Sequence, residues 1–152
     1  MTSDGVTLKA SKTVSPTAVR ALFRRVGLND WFTRDDVTWY LRKALYVATA
    51  WAARRCVGIA VLTGDGRIDV SVDLLAVDPQ WQRRGIGTRL MQRVTARIER
   101  LAPYHAQVQV CERDTERFYA RFGFQRNQGT WLLEHGPTAD RLRHLAREAR
   151  TS

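Results

Sequence analysis

The sequence predicts one α/β domain of the α+β kind, a mixed and mostly antiparallel sheet with flanking helices. Three observations predict it. β-rich runs at Tyr46–Ala52, Cys56–Thr63 and Ile68–Val77 follow one another through short turns, which makes an antiparallel meander. The amphipathic stretch Thr88–Leu101 then separates the last run from another, Ala106–Val110, so those two strands should lie parallel. Finally, 152 residues with 44% hydrophobic content suffice for a single buried core.

Each element has a local reason. Val6 and Leu8 alternate in Gly5–Ala10, a short strand. Ser15 can cap a helix and Pro16 suits its first position; Val19, Leu22, Phe23 and Val26 recur at helical spacing, and Gly27 ends it. A second helix begins after Thr33, with Asp36 as a capping-box acid, and carries Val37, Tyr40, Leu41 and Leu45. Asp65-Gly66 is a hairpin signal between the second and third meander strands, and Asp78-Pro79 stops the third. Helix Thr88–Leu101 should bury Leu90, Met91, Val94, Ile98 and Leu101 and expose Arg89, Arg93, Arg97 and Arg100, with Pro103 breaking it. A short helix, Thr115–Phe122, ends at Gly123. Phe124 onward and Thr130–Glu134 form a last hairpin through Asn127-Gln128-Gly129, and Thr138–Arg150 is an amphipathic tail helix.

The totals exclude several classes. No window approaches 18 apolar residues, so no membrane partner is expected. Met1–Leu8 lacks a basic region followed by an apolar run, so no signal peptide is expected either. Cys56 and Cys111 stand outside any CxxC pattern, and His105, His135 and His144 form no ligand spacing. No metal site and a reducing cytoplasm are the expectations. The net charge of +10 favours anionic partners, nucleic acid and phosphorylated cofactors among them; the arginines are scattered, so an arginine-rich soluble surface explains it equally.

Between the third meander strand and the long helix lies Gln80-Trp81-Gln82-Arg83-Arg84-Gly85-Ile86-Gly87. Two glycines, several backbone N–H groups and a helix N-terminus meet there, which is how phosphate sites are built. GxxxxGK[ST] is absent, and GxGxxG fails at Leu90. What remains is Gln82-x-x-Gly85-x-Gly87.

At these residues the chain resembles the GCN5-related N-acetyltransferase (GNAT) superfamily, whose acetyl-CoA signature is [Q/R]-x-x-G-x-[G/A]. Asp73-Leu74-Leu75-Ala76-Val77-Asp78-Pro79 is similar to that family's fourth strand and its exit. Phe118-Tyr119-Ala120-Arg121-Phe122-Gly123-Phe124 is similar to its FYxxxGF segment. The resemblance covers about residues 5 to 134. It implies one acetyltransferase domain over residues 1–136, with 137–152 as a tail that belongs to it or serves interaction.

The resemblance implies acetyl-CoA as co-substrate and a sheet in which the parallel pair splays to admit it. Gln82, Arg83, Arg84, Gly85, Ile86, Gly87 and Thr88 would hold the pyrophosphate. Leu75, Ala76 and Val77 would offer strand backbone to the pantetheine arm, and an N–H near Leu75 would polarise the thioester carbonyl. Tyr119 matches a tyrosine that protonates the departing thiolate in many members, and it also lies on that site. The residues alone would make it an aromatic core position.

The general base stays open. Ser71 stands where the histone-acetyltransferase type has its glutamate. Asp73, two residues on and on the same strand face, is the leading candidate, unless it simply bonds to backbone or an arginine. Glu112 and a water chain are the others. Cys111 reads as a packing residue. Trp31, Phe32, Trp39, Tyr40 and Tyr46 gather around the second helix and the next strand, where relatives wall their acceptor site; they read as core or as the lining for an apolar amine.

The acceptor expected is a primary amine of a small molecule or a polypeptide. Two alternatives are a tRNA- or ribosome-associated acetyltransferase, from the charge, and a non-catalytic acyl-CoA-binding module, from Ser71. Dimers are common in the family, so a homodimer is an expectation of the resemblance.

Overall fold

The computed structural model describes residues 5–28, 32–109, 113–126 and 132–135. Side chains start the first two helices where the sequence places them. Ser15 Oγ accepts the Ala18 N–H at 3.2 Å and Pro16 opens α1, Pro16–Arg25. A reciprocal capping box opens α2, Arg34–Lys43: the Thr33 N–H donates to Asp36 Oδ2 at 2.8 Å, and the Asp36 N–H donates to Thr33 Oγ1 at 3.1 Å. These bonds hold the Asp36 carboxyl below its ordinary range, the Thr33 N–H first and its hydroxyl second.

The described strands form one seven-stranded sheet in the order β1-β2-β3-β4-β5-β7-β6. They are β1 Val6–Ala10, β2 Tyr46–Ala52, β3 Arg55–Gly64, β4 Asp69–Val77, β5 His105–Gln109, β6 Phe124–Arg126 and β7 Leu132–His135. β1 to β4 are successively antiparallel. The β3–β4 turn is held by Asp65, whose Oδ1 accepts the N–H groups of Arg67, Ile68 and Asp69 at 2.8, 2.7 and 3.1 Å. Helix α3, Ile86–Leu101, then crosses over, and β5 lies parallel to β4 as expected. β7 pairs antiparallel with β5 and β6. The turn at 127–129, the tail helix at 138–150 and Val110 lie outside the described residues. Among the described residues no helix is long and apolar enough to cross a membrane.

Helices cover both faces of the sheet. On one, Ile86, Leu90, Met91, Val94 and Ile98 of α3 pack against Ala48, Ala50, Val57, Ala60, Leu62, Val70 and Val72. A fully buried side chain of this kind contributes roughly 1.5–3 kcal/mol. Gly58 lets α3 sit that close, since a Cβ there would lie 3.0 Å from Leu90 Cδ1 and 3.1 Å from Ile86 Cγ2. On the other face, Val19, Leu22 and Phe23 of α1 and Val37 and Leu41 of α2 pack against Val47, Trp51, Ile59, Val61 and Ala76.

Three details differ from expectation. Helix α3 starts at Ile86, two residues before Thr88, because its N-cap is Gly85 in the left-handed conformation, with no side-chain cap to mark it. Arg89 and Arg97 are half-buried instead of exposed. Arg89 Nη2 donates to the Val6 carbonyl at 3.3 Å, and Arg97 lies over the Tyr46 ring at 5.5 Å, so their stems cover apolar surface; Leu101 is only half-buried. Helix α4 spans Arg113–Ala120, shifted from Thr115–Phe122, because its end tightens into three-residue bonds, Phe122 N–H to Tyr119 O and Gly123 N–H to Ala120 O.

One ion pair fixes where β4 leaves the sheet. Asp78, 1% exposed, accepts Arg25 Nε at 2.6 Å on Oδ2, with Arg55 Nη2 at 3.5 Å, and accepts the Gln80 N–H at 3.0 Å on Oδ1. Its own N–H donates to Val57 O at 2.8 Å, and Arg25 Nη2 donates to Cys56 O at 2.6 Å. Helix α1, β3 and the β4 exit are thereby tied together. Arg25→Ala strands a buried carboxylate and should lower the unfolding free energy by about 3 kcal/mol in urea titrations. A loss under about 1 kcal/mol would mean the pair behaves as an exposed one.

Candidate active site

The site is made by β4. Its parallel pairing with β5 runs from Asp69↔His105 to Val72↔Val108 and stops, while its antiparallel pairing with β3 continues to Val77. From Asp73 onward, β4 has no strand partner on the β5 side among the described residues. At the same place it bulges: Val72 pairs with Leu62 and Leu74 with Val61, leaving Asp73 unpaired. The extra residue inverts the alternation. Val70 and Val72 face the α3 layer before it, Leu75 and Val77 after it, and Leu74 and Ala76 face α1 and α2.

On the α3 side the parted strand borders a groove of about 450 Å³. Its walls are Leu75 and Val77 of β4, Trp81 to Thr88 of the loop and helix start (Arg84 excepted), and Thr115, Phe118 and Tyr119 of α4. Arg83 and Gly85 are both left-handed, with φ of +62° and +79°, which coils the loop tightly before α3. No side chain caps that helix, and its first bond back to Gly85 comes from the Arg89 N–H at 3.0 Å. The N–H groups of Ile86, Gly87 and Thr88 therefore have no acceptor within the helix and carry its positive dipole end. Gln82 Nε2 donates to the Val77 carbonyl at 3.1 Å and fastens the loop to the strand exit. The Tyr119 ring is held edge-on by Phe118 at 5.2 Å and Phe124 at 6.1 Å.

Leu75, Val77, Gln82, Arg83, Gly85, Ile86, Gly87, Thr88 and Tyr119 thus line one groove. Ala76 turns its side chain toward α1 and α2, leaving only its backbone near that groove. Arg84 is not in the wall: its guanidinium lies over the Trp81 ring at 4.6 Å, with Nη2 3.4 Å from the Gln80 carbonyl. Trp81, Thr115 and Phe118 are wall residues the sequence did not single out. Phe118 reads as core from its spacing, Trp81 directly precedes Gln82 in the same loop, and Thr115 is brought there by folding with no periodic signal.

Among the described residues Asp73 bonds neither to backbone nor to an arginine. It accepts a short hydrogen bond on Oδ2 from Tyr40 Oη of α2. The Tyr40 phenol is pushed far up, by burial first and the Asp73 carboxylate second, so it remains the donor. Asp73 and Tyr40 line a second pocket, about 400 Å³, with Phe23, Leu28, Phe32, Asp36, Val37, Trp39 and Leu74. Of the aromatic cluster, Phe32, Trp39 and Tyr40 are in this pocket. Tyr46 packs instead on the α3 side, and Trp31, Cys111 and Glu112 lie outside the described residues. His105 Nδ1 is 2.8 Å from Asp69 Oδ1 at the start of the parallel pair, away from either pocket.

An uncapped helix end and the parted edge of β4 thus face one cleft. The sequence profile of the acetyltransferase (GNAT) domain matches residues 33–126. The chain belongs to that family of acetyltransferases. A GNAT-family acetyltransferase from Streptococcus pneumoniae TIGR4 is 29% identical, with a TM-score of 0.68 over 79% of this chain and 87% of that one. A GNAT acetyltransferase from Elizabethkingia anophelis, solved with acetyl-CoA bound, is 16% identical, with a TM-score of 0.61 over 82% and 79%. An N-acetyltransferase from Thermoplasma acidophilum in complex with coenzyme A is 12% identical, with a TM-score of 0.65 over 84% and 98%. The last two speak to the fold alone. No protein with a curated description matches the sequence.

The two loop glycines are needed for different reasons, and stability separates them. Gly85→Ala must hold a side chain at φ +79° and should cost about 1–2 kcal/mol. At Gly87 a Cβ meets only ordinary contacts, Phe118 at 3.6 Å and Val77 at 3.8 Å, inside a helix. Gly87→Ala should therefore leave Tm unchanged or raise it. Equal destabilisation by both substitutions would contradict this loop conformation.

Proposed function

We propose that this chain transfers the acetyl group of acetyl-CoA directly to a primary amine. One observation carries the assignment: the uncapped start of α3 and the unpaired edge of β4 line the same groove, beside Tyr119. Exposed N–H groups at a helix start suit a pyrophosphate. The edge of β4 from Leu75 to Val77 offers peptide groups to an amide-rich chain such as pantetheine, at the spacing of a missing strand. The walls therefore fit the co-substrate that relatives carry. When bound, acetyl-CoA supplies an activated acyl thioester.

The chain's own residues then have three tasks. Backbone N–H groups from Arg83 to Thr88 bind the diphosphate and set the register of the arm. The Leu75 N–H would face the thioester carbonyl and stabilise negative charge there. Proton transfer completes the exchange. The amine nitrogen forms the new C–N bond as the C–S bond breaks, Asp73 removes the proton the amine sheds, and the Tyr119 hydroxyl returns one to the departing sulfur. A phenol keeps its proton at neutral pH and is acidic enough to protonate a thiolate. Asp73 is assigned as base because it is exposed and aimed by Tyr40. Ser71 leaves this strand face without the glutamate that some relatives use.

Acetyl-CoA at a hundredfold excess over its Kd should stabilise the protein by about 2.7 kcal/mol, visible as a raised Tm. No shift at saturation would remove the assignment. With an amine panel and a thiol-release assay, Tyr119→Phe should lower kcat about a hundredfold with the Kd for acetyl-CoA nearly unchanged. An unchanged kcat would take Tyr119 out of the proton transfer. Binding without turnover on any amine would mark a non-catalytic acyl-CoA module instead.

A further inference from the structure

The second pocket has a composition at odds with the rest of the chain. The protein carries a net charge of +10. Yet among the described wall residues of this pocket the charged side chains are Asp36 and Asp73, both acidic. The remaining walls are apolar or aromatic, and Leu28, Phe32 and Trp39 are exposed large hydrophobics, Trp39 at 64%. Phe23 and Phe32 meet edge-on at 6.4 Å. Exposing three such side chains around one cavity is costly unless something covers them. The acidic groups are not randomly placed. Asp73 sits where β4 bulges, and its Oδ2 is fixed by Tyr40, which leaves Oδ1 with no partner among the described residues. Asp36 is locked by the α2 capping box.

Asp73 is also two positions before Leu75, which lines the co-substrate groove. At about 3.3 Å per strand residue, a group held at Asp73 is roughly 7 Å along the strand from the groove wall. The two cavities are therefore neighbours across β4, one facing α3 and the other facing α1 and α2.

We propose that this pocket selects the acceptor as a small arylalkylamine with a single cationic nitrogen and no anionic group. The aryl body lies among Phe32, Trp39, Val37 and Leu74, and the ammonium meets Asp73. This rests on the acetyltransferase assignment above and specifies its second substrate. About 400 Å³ holds one compact molecule of drug-like size or less. Two fixed carboxylates with no facing cation in the described wall repel a substrate carboxylate or phosphate. Amino acids and RNA are thereby disfavoured, in spite of the overall charge. Polyhydroxylated amines would leave their hydroxyls unpaired against apolar walls.

Titration calorimetry on the full chain, without acetyl-CoA, separates this from the assignment it rests on. 2-Phenylethylamine should bind at least tenfold more tightly than phenylalanine, ethanolamine or a short peptide. Trp39→Ala, at an exposed position that should not disturb folding, should weaken phenylethylamine binding about tenfold through lost apolar contact. Asp73→Asn should shrink the preference for phenylethylamine over phenylalanine. The same rank order should appear in kcat/KM once acetyl-CoA is added. Equal or tighter binding of phenylalanine, ethanolamine or the peptide overturns the proposal, as does a Trp39→Ala variant that binds phenylethylamine normally. Turnover of only polar amines or peptides likewise overturns the proposal while leaving the acetyltransferase assignment intact. Phenylethylamine binding with no acetyl-CoA binding upholds the pocket and defeats the assignment.

Discussion

A parallel strand pair that is abandoned halfway governs this molecule. β4 pairs with β5 as far as Val72↔Val108 and has no further partner on that side among the described residues, while β3 still holds its other edge to Val77. Backbone groups on the parted edge must find partners elsewhere, and a strand edge with open peptide groups invites an extended ligand. β4 is clamped beyond the gap. Asp78, buried among Arg25, Arg55 and the Val57 carbonyl, anchors the strand exit to α1 and β3. Gln82 fastens the loop to Val77 in turn. Among the described residues the edge is open, and its exit is fixed.

The bulge at Asp73 assigns the two faces of the strand to two tasks. Without the extra residue, Leu74 and Ala76 would continue the α3 face begun by Val70 and Val72, and the groove would be walled differently. With it, Leu75 and Val77 border the groove beside α3, while Asp73 and Leu74 border the apolar pocket beside α2. One strand thus walls both cavities. Its carboxylate faces the second pocket through a bond to Tyr40, which α2 presents because the Thr33–Asp36 box fixes where that helix starts.

Much of the frame was legible in the sequence because it is written in local chemistry. Ser15 with Pro16, Thr33 with Asp36, and Asp65-Gly66 each set an element boundary through bonds spanning a few residues, and the structure contains those bonds. The parallel pair followed from one crossover helix. The loop and the Tyr119 segment were recognisable by resemblance, and folding does bring them into one groove. What escaped is non-local or lacks a side-chain signal. Gly85 caps α3 through backbone conformation, so no side chain marks the helix start ahead of Thr88. A bulge depends on pairing with β3, and Leu74-Leu75 breaking the alternation was its sole trace. The partner of Asp73 is Tyr40, 33 residues away. Arg89 and Arg97 follow the polar stripe of their helix, yet fold back onto β1 and Tyr46.

The central claim is that the open edge of β4 and the uncapped start of α3 form one acyl-CoA groove. The most direct test is an amide chemical-shift titration of the ¹⁵N-labelled full chain with coenzyme A. The largest shifts should fall at Leu75, Val77 and Arg83 to Thr88, with Val19, Leu22 and Leu41 on the far face undisturbed. Shifts centred on α1 and α2, or scattered over the arginine-rich surface with Gly85 to Thr88 unmoved, would contradict it.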